Sequence, residues 1–147
     1  MASIRGKVAF VTGASSGIGA ATARALAAEG AHLILAARRA ERLESLAAGL
    51  RTQHNIEVLT ITLDVRSQEH VKHAVASLPE RFAAIDILVN NAGLSRGLSK
   101  LHEADLQDWE EMIDTNVKGL LYVTYAVLPG MVGRKSGHVI NLGSIAS

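Results

Sequence analysis

A short stretch near the beginning of the sequence has the residue types and spacing of a phosphate-binding turn. It consists of Thr12, Gly13, Ala14, Ser15, Ser16, Gly17, Ile18 and Gly19. An apolar run precedes it and an alanine-rich segment follows, and the start of a helix offers unpaired N–H groups to pyrophosphate. Gly13 would permit a sharp turn, Gly17 would let backbone approach phosphate, and Gly19 would let helix and strand pack closely. On spacing alone, a purely structural turn remains the alternative.

The spacing of these glycines, G-x-x-x-G-x-G, differs from the G-x-G-x-x-G of general dinucleotide-binding folds. It resembles the T-G-x-x-x-G-x-G pattern of the short-chain dehydrogenase/reductase family. The resemblance covers nearly the whole chain and implies a Rossmann-type domain that binds a nicotinamide dinucleotide at this turn. Residues 114–119 and 127–131 look close to the branch of the family that acts on 3-hydroxy acids, including serine-like substrates.

Two arginines, Arg38 and Arg39, stand at the end of the second predicted strand. A site that prefers NAD usually has a carboxylate there, which accepts a hydrogen bond from the ribose 2′-OH. Two guanidinium groups can instead neutralise and hydrogen-bond a 2′-phosphate, so the sequence favours NADP over NAD. The alternative is that both are solvated charges at the start of the next helix, although positive charge there opposes the helix dipole.

Two further motifs follow the third and fourth predicted strands. By resemblance to the family, the carboxylate of Asp64 accepts a hydrogen bond from the adenine amino group, and Val65 packs on the ring. The second motif matches N-N-A-G and consists of Asn90, Asn91, Ala92 and Gly93. The resemblance implies that its asparagines tie the fourth strand to its neighbours, while Ala92 and Gly93 let the chain pass the cofactor ribose. Without the family, these residues would be capping and turn residues.

The resemblance also implies two catalytic residues. Asn116, within the long predicted helix, aligns with the family's catalytic asparagine, which bends that helix and holds a water of the proton relay. Ser144 aligns with the catalytic serine at the end of the fifth strand, whose hydroxyl would polarise the substrate carbonyl and orient it for hydride transfer. Without the family, a helical asparagine would equally be a surface residue or a local kink.

The family's chemistry further needs a tyrosine as general acid and base, and a lysine four residues later that activates it. Both are expected after the catalytic serine, and the sequence ends at Ser147. Tyr122 and Tyr125 do not form such a pair, because Ala126 and Pro129 stand four residues after them. We expect these tyrosines to be packing or interface residues, and this chain alone to bind nucleotide better than it turns over substrate.

The composition argues against other classes of function. The 15 Lys and Arg residues nearly balance 14 Asp and Glu residues, so neither a nucleic acid nor a membrane surface is an expected partner. The absence of cysteine excludes thiolate catalysis and cysteine-based zinc sites. His70 and His73 share a predicted helix, but the sequence places no third ligand beside them, and we expect no metal. No secretion signal or membrane span is evident, which predicts a cytoplasmic protein.

Short β-branched runs alternate with longer segments of helical period, which predicts an α/β fold. The predicted strands are Lys7 to Thr12, His32 to Ala36, Ile56 to Leu63, Ile85 to Asn90 and His138 to Leu142. The predicted helices are Ile18 to Gly30, Ala40 to His54, a helix capped by Ser67 that ends near Pro79, and Asp105 to Met131. Right-handed crossovers give a Rossmann-type, doubly wound parallel sheet of order 3-2-1-4-5, covered by helices on both faces in three αβα layers.

We expect residues 1–147 to form one NADP-binding domain that lacks the C-terminal part of the family fold, with an exposed apolar edge at the fifth strand. The predicted function is that of an NADP-dependent oxidoreductase that interconverts an alcohol and a carbonyl compound by hydride transfer. The expected partners are a small-molecule substrate and, by resemblance, further copies of the chain in a homodimer or homotetramer. The alternatives are a non-catalytic module that binds NADP(H) or associates with itself, and a subunit completed by another chain.

Overall fold

The computed structural model describes residues 3–97 and 99–144 of the chain, and its centre is a parallel sheet of five strands. The strands are β1 (Val8–Thr12), β2 (His32–Ala37), β3 (Val58–Thr62), β4 (Ile87–Asn90) and β5 (His138–Asn141). Their spatial order is β3-β2-β1-β4-β5, which confirms the predicted order. The chain winds outward from β1 in one direction and from β4 in the other, so a crevice opens between the carboxyl ends of these two strands.

Helices cover both faces of the sheet and bury two separate cores. The helices are α1 (Gly17–Ala28), α2 (Ala40–His54), α3 (Gln68–Ala76), α4 (Glu80–Ala83), α5 (Leu106–Met112) and α6 (Leu120–Arg134). Side chains alternate along each strand, so Ala9 and Val11 pack with α1 and α2, whereas Phe10 and Ile34 pack with α3 and α6. Because both faces are covered, β1, β2 and β4 are apolar except at their ends, where His32, Thr12 and Asn90 lie.

The helix ends follow local signals in the sequence. Helix α2 spans the predicted range Ala40–His54. Helix α3 begins after Ser67, whose hydroxyl accepts a hydrogen bond from the N–H of His70 at 3.2 Å, as predicted for an N-cap. The short helix α4 is not predicted from the sequence. It begins after Pro79 and buries Phe82 against the second core.

The helix predicted over Asp105–Met131 is present, but it changes pitch and extends to Arg134. Ile113–Gly119 forms a π-helical segment between α5 and α6. Two contacts accompany this change of pitch. The side chain of Asn116 binds the loop after β4, and Gly119 packs so closely on the chain after β3 that a Cβ would lie 2.6 Å from Cγ2 of Val65.

Two apolar surfaces remain exposed. Within the described part of the chain, β5 forms an edge of the sheet, and Ile140 on it is 38 % exposed. The π segment and α6 carry an apolar stripe at intervals of three or four residues, made of the exposed side chains Ile113, Val117, Leu121, Tyr125, Leu128 and Val132. No helix formed by the described residues is both long enough and apolar enough to span a lipid bilayer.

Candidate nucleotide-binding site

A cleft of about 550 Å³ opens at the carboxyl ends of β1, β2, β3 and β4. It is lined by Gly13, Ser15, Ser16, Ala36, Ala37, Arg38, Arg39, Leu63, Asp64, Val65, Arg66, Ala92, Gly93, Leu94 and Thr115. Most of the residues selected from the sequence therefore meet in one place, although they are far apart along the chain. This is the edge at which doubly wound sheets bind their ligands.

The glycine-rich turn has an unusual backbone at two positions. Gly13 has a φ of +64° and Gly17 a φ of +54°, in the left-handed region that glycine adopts without steric cost. A Cβ at Gly17 would meet no atom within 4 Å, so the backbone is open on that side. A Cβ at Gly19 would lie 2.4 Å from both the carbonyl oxygen of Gly13 and Nδ2 of Asn91. Gly19 thus packs closely, but against the turn and Asn91 rather than against the strand.

Thr12 joins the ends of β1 and β4 through its buried hydroxyl. The Oγ1 atom accepts hydrogen bonds from the N–H groups of Asn91 at 3.1 Å and Ala92 at 3.0 Å, and donates to the carbonyl of Val89 at 3.4 Å. Nδ2 of Asn91 returns hydrogen bonds to the carbonyls of Thr12 at 3.0 Å and Gly13 at 3.1 Å. With only 1 % of its surface exposed, Thr12 lies behind the cleft and positions the residues that line it.

Asn90 connects β4 to its other neighbours. Its Nδ2 donates to Oγ1 of Thr124 in α6 and to Oδ1 of Asn141 in β5, both at 2.9 Å. The two asparagines therefore tie β4 to β1, β5 and α6, in the way the family resemblance implies. Ala92 and Gly93, which follow them, lie on the wall of the cleft.

Arg38 and Arg39 lie where β2 ends and α2 begins, and both are exposed at the cleft. Arg39 stands at the N-cap of α2 without a side-chain capping hydrogen bond. Its Nη2 donates to Oγ of Ser15 at 3.5 Å, which brings the guanidinium next to the glycine-rich turn. The two side chains therefore place positive charge beside the segment suited to phosphate.

Asp64 and Val65 follow β3 and line the cleft, and Val65 is buried there. The Asp64 carboxylate is held by Arg66: Oδ1 accepts from the backbone N–H and from Nε, both at 3.0 Å. Oδ2 accepts from Nε at 3.1 Å and from Nη2 at 2.7 Å. The hydrogen bonds from Arg66 hold the pKa of Asp64 below its ordinary value, against the effect of partial burial, so the carboxylate is ionised at neutral pH.

The same arginine reaches a second acid. Nη1 of Arg66 lies 3.7 Å from Oε1 of Glu111 in α5. Glu111 also accepts hydrogen bonds from two nitrogens of Arg96, Nε at 2.9 Å and Nη2 at 3.3 Å. These hydrogen bonds lower the pKa of Glu111. Side chains of alternating charge therefore connect the end of β3 with α5 and with the loop after β4.

Six residues that line the cleft are not among the site residues predicted from the sequence: Ala36, Ala37, Leu63, Arg66, Leu94 and Thr115. Arg66 has a detectable signal, since it is a cation directly after the Asp64-Val65 motif. Thr115 has none, because the π segment brings it to the cleft. Its hydroxyl is buried and has no hydrogen-bond partner within residues 3–97 and 99–144.

The two residues aligned with catalytic positions do not line the cleft. Asn116 holds the loop after β4: its Oδ1 accepts from the N–H of Leu94 at 2.9 Å, and its Nδ2 donates to the carbonyl of Leu94 at 2.8 Å. Ser144 is exposed and follows β5, at the same edge of the sheet. Just before it, the N–H of Leu142 donates to the carbonyl of Asn90 at 3.0 Å, so this part of the chain still runs beside β4.

The histidines and tyrosines considered in the sequence analysis do not line the cleft. His70 and His73 lie on α3, and the described residues contain no group of three or more metal-ligating side chains that could hold a metal ion. Tyr122 packs against the second core, whereas Tyr125 is 79 % exposed on the apolar stripe. Both tyrosines are therefore packing or surface residues in this part of the chain.

The donor set of the cleft fits a phosphorylated dinucleotide. The turn leaves open backbone at the start of α1, the arginines supply positive charge, and Leu63 and Val65 supply an apolar wall. The volume lies within the range of about 300–1,000 Å³ that is usual for sites of small molecules.

Comparison with known sequences gives consistent matches. A family model described as short chain dehydrogenase matches residues 7–147. The NADP-dependent 3-hydroxy acid dehydrogenase YdfG of Salmonella typhi is 49 % identical over 139 residues, which make up 95 % of this chain and 54 % of that protein. The chain therefore spans about half the length of the curated relatives it matches.

Solved structures agree with the sequence comparison. The closed form of serine dehydrogenase complexed with NADP+ has a TM-score of 0.87 and 47 % identity, and the match covers 95 % of this chain and 54 % of that one. NAD+-bound xylitol dehydrogenase has a TM-score of 0.93 and 34 % identity, with coverage of 99 % and 55 %. Because similar folds bind either cofactor, the overall shape does not decide between them, and local residues such as Arg38 and Arg39 must do so.

Proposed function

Because this chain belongs to the short chain dehydrogenase family, we propose that it is the cofactor-binding part of an NADP-dependent oxidoreductase that interconverts an alcohol and a carbonyl compound. The observation that carries the proposal is the convergence of the glycine-rich turn, Arg38, Arg39 and Asp64 on one cleft. The names of the relatives, a 3-hydroxy acid dehydrogenase and a serine dehydrogenase, favour a small hydroxy acid as the alcohol.

In this proposal the start of α1 binds the pyrophosphate. The backbone N–H groups of the turn and the dipole of α1 stabilise its negative charge. Thr12 and Gly19 do not contact the phosphates. They lie behind the turn and fix its shape. The residues nearest the phosphates are Gly13, Ser15, Ser16, Gly17 and Ile18, of which Gly17 has open backbone and Ile18 is exposed.

Arg38 and Arg39 bind the 2′-phosphate of the cofactor and make the site prefer NADP. Hydrogen bonds between guanidinium and phosphate are charge-assisted and frequently bidentate. The 3.5 Å contact between Arg39 and Ser15 supports this role, because it keeps one guanidinium beside the turn. An acid that could bind a free ribose 2′-OH is absent from the end of β2, whose last residues are Ala36 and Ala37.

The adenine lies between the ends of β2 and β3, where Asp64 accepts a hydrogen bond from its amino group and Val65 packs on the ring. The ribose on the nicotinamide side passes the end of β4, with Ala92 and Gly93 as small neighbours and Asn91 holding this corner to the turn. A Cβ at Gly93 would lie 3.3 Å from Oδ1 of Asn116, so the wall has little room for a larger residue.

The reacting atoms lie beyond the end of β4, next to β5. When bound, the nicotinamide cofactor donates or accepts the hydride. The hydroxyl of Ser144 donates a hydrogen bond to the substrate carbonyl oxygen and so stabilises the negative charge that develops there. Asn116 holds a water of the proton relay, and its side chain fixes the loop after β4 through Leu94.

The role of Ser144 is tested by replacing it with alanine in the full-length protein. Loss of one such donor lowers kcat by about 10²–10³-fold, whereas NADPH affinity measured by fluorescence titration should not change. Ser136→Ala is the control, because Ser136 is an exposed serine that follows α6 and lies at the opposite end of the sheet. An unchanged rate for 3-hydroxy acid oxidation by the Ser144 variant would refute the assignment.

The apolar stripe supports a further part of the proposal, a homodimer or homotetramer formed through the long helix. Exposed side chains such as Leu121, Tyr125 and Val132 would be buried in such a contact. The same surface supports the second candidate function, a self-associating module that binds NADP(H) without catalysis. A full-length protein that binds NADPH and associates, but turns over no hydroxy acid, would favour this second function.

A further inference from the structure

The carboxylate that would bind adenine is already occupied by a neighbouring side chain. The oxygens of Asp64 accept from three nitrogens of Arg66: the backbone N, Nε and Nη2, at distances between 2.7 and 3.1 Å. A carboxylate has about four lone-pair sites. Three N–H groups of Arg66 contact them, and the Nε–H is shared between the two oxygens. An adenine amino group that approaches Asp64 therefore competes with the guanidinium of Arg66 for the same oxygens.

The structure also contains an acceptor for the displaced guanidinium. Oε1 of Glu111 lies 3.7 Å from Nη1 of Arg66, close to the range of a direct ion pair. The Arg66 side chain is 37 % exposed, so its guanidinium borders solvent and is not enclosed by the core. Glu111 itself is fixed by Arg96, which keeps the second acceptor in place.

We infer that Arg66 is a positioning residue that competes with the adenine amino group for Asp64, and that Glu111 receives its guanidinium when the cofactor binds. This inference rests on the proposed function. Arg66 thereby lowers the contribution of the adenine amino group to cofactor affinity. It also keeps Asp64 paired when no nucleotide is bound. Glu111 has the opposite effect, because it stabilises the displaced position of the guanidinium.

The contribution of the amino group can be measured with a matched pair of ligands. One is NADPH and the other is its analogue in which unsubstituted purine, with a hydrogen in place of the amino group, replaces adenine. The ratio of their dissociation constants, analogue over NADPH, reports the amino group alone. General effects of charge on the phosphates cancel in this ratio, because both ligands carry the same phosphates.

The expected changes in this ratio follow from the competition. In the full-length protein, Arg66→Met should raise the ratio by about two- to fivefold, the strength of a partly exposed ion pair. Glu111→Gln should lower the ratio. In the Arg66→Met background, the same Glu111→Gln substitution should leave the ratio unchanged. Arg24→Met, which removes an equal charge from the exposed face of α1, should leave the ratio unchanged. Arg66→Lys keeps the charge without the bidentate fork and should also raise the ratio.

Each outcome separates the inference from the function on which it rests. A ratio that stays constant or falls in both Arg66 variants overturns the competition. Asp64→Ala should bring the ratio close to one. If it does not, the contact between Asp64 and adenine is wrong and the competition falls with it. If the unaltered protein binds neither ligand, the proposed function itself fails. Circular dichroism of each variant shows whether it is folded.

Discussion

The hydroxyl of Thr12 satisfies two backbone N–H groups at the corner where β4 ends, those of Asn91 and Ala92. These N–H groups follow the last residue of a strand and have left the ladder of the sheet. A buried N–H without a partner costs about 1–3 kcal/mol. One side chain behind the cleft therefore fixes the shape of this wall of the cleft.

Thr12→Val keeps the shape of the side chain and removes this acceptor. We expect the free energy of unfolding to fall by about 2–4 kcal/mol in denaturant titrations, because both N–H groups lose their partner. Thr52→Val is the control: Thr52 is exposed on α2 and its hydroxyl donates only to the carbonyl of Ala48. That variant should change stability by less than about 0.5 kcal/mol. Equal effects of the two substitutions would contradict the role of Thr12.

At the scale of residues, the sequence predicts the parts of the cleft that depend on local spacing. The turn at residues 12–19, the pair Arg38 and Arg39 and the asparagines after β4 are found because each belongs to one short segment. The contact of Arg66 with Glu111 and the placement of Thr115 are not found, because each depends on how α5 and the π segment pack beside β3.

Among the elements, the π segment has the largest effect on the candidate site. It contains Asn116, whose side-chain amide forms two hydrogen bonds with the backbone of Leu94. Helix α5 just before it buries no residue, so polar contacts such as this one and that of Arg96 with Glu111 attach the rim of the cleft. The local pitch of the helix and the position of the loop are therefore coupled.

Asn116→Ala removes both hydrogen bonds to Leu94 and should release the loop. We expect faster hydrogen exchange over residues 91–97 and 106–112, because local opening costs less free energy when contacts are lost. Lys118→Ala is the control, since Lys118 is exposed in the same segment and pairs with Asp114. If the loop stays equally protected in the Asn116 variant, the side chain does not hold it.

Elements are predicted well where a capping or periodic signal is strong. The bounds of α2 and the N-cap at Ser67 agree with the sequence analysis. Helix α4 escapes prediction because one turn has too few residues to show a period. The π segment Ile113–Gly119 also escapes it, because side-chain contacts across the fold accompany it and residue propensity gives no sign of it.

At the scale of the whole molecule, the order of the sheet follows from the alternation of strands and helices along the chain. Among the described residues, apolar side chains remain exposed at the edge at β5 and on the apolar stripe of the long helix. Full burial of one large apolar side chain is worth about 1.5–3 kcal/mol, so the stripe can supply the main favourable term of a subunit contact. The regular spacing of the stripe is visible in the sequence, but only the structure shows that its side chains are exposed.

Leu121→Glu combined with Tyr125→Glu places two charges in the middle of the stripe. If the long helix forms the subunit contact, the dissociation constant of the full-length oligomer should rise by at least about tenfold, equivalent to 1.4 kcal/mol. Sedimentation velocity over a range of concentrations measures this change. Leu101→Glu is the control, because Leu101 is exposed and precedes α5, outside the long helix. An unchanged oligomer in the double variant would place the contact elsewhere.

The central claim is that Arg38 and Arg39 make this cleft a site for NADP. It is tested most directly by the dissociation constants of NADPH and NADH for the full-length protein and for its Arg38→Ala, Arg39→Ala double variant. We expect NADPH to bind at least about tenfold more tightly than NADH, because hydrogen bonds to a charged group contribute about 1.5–3 kcal/mol. The double variant should lose this preference through weaker NADPH binding, while Arg24→Ala should keep it. Equal affinity for both cofactors in the unaltered protein, or an undiminished preference in the double variant, would contradict the claim.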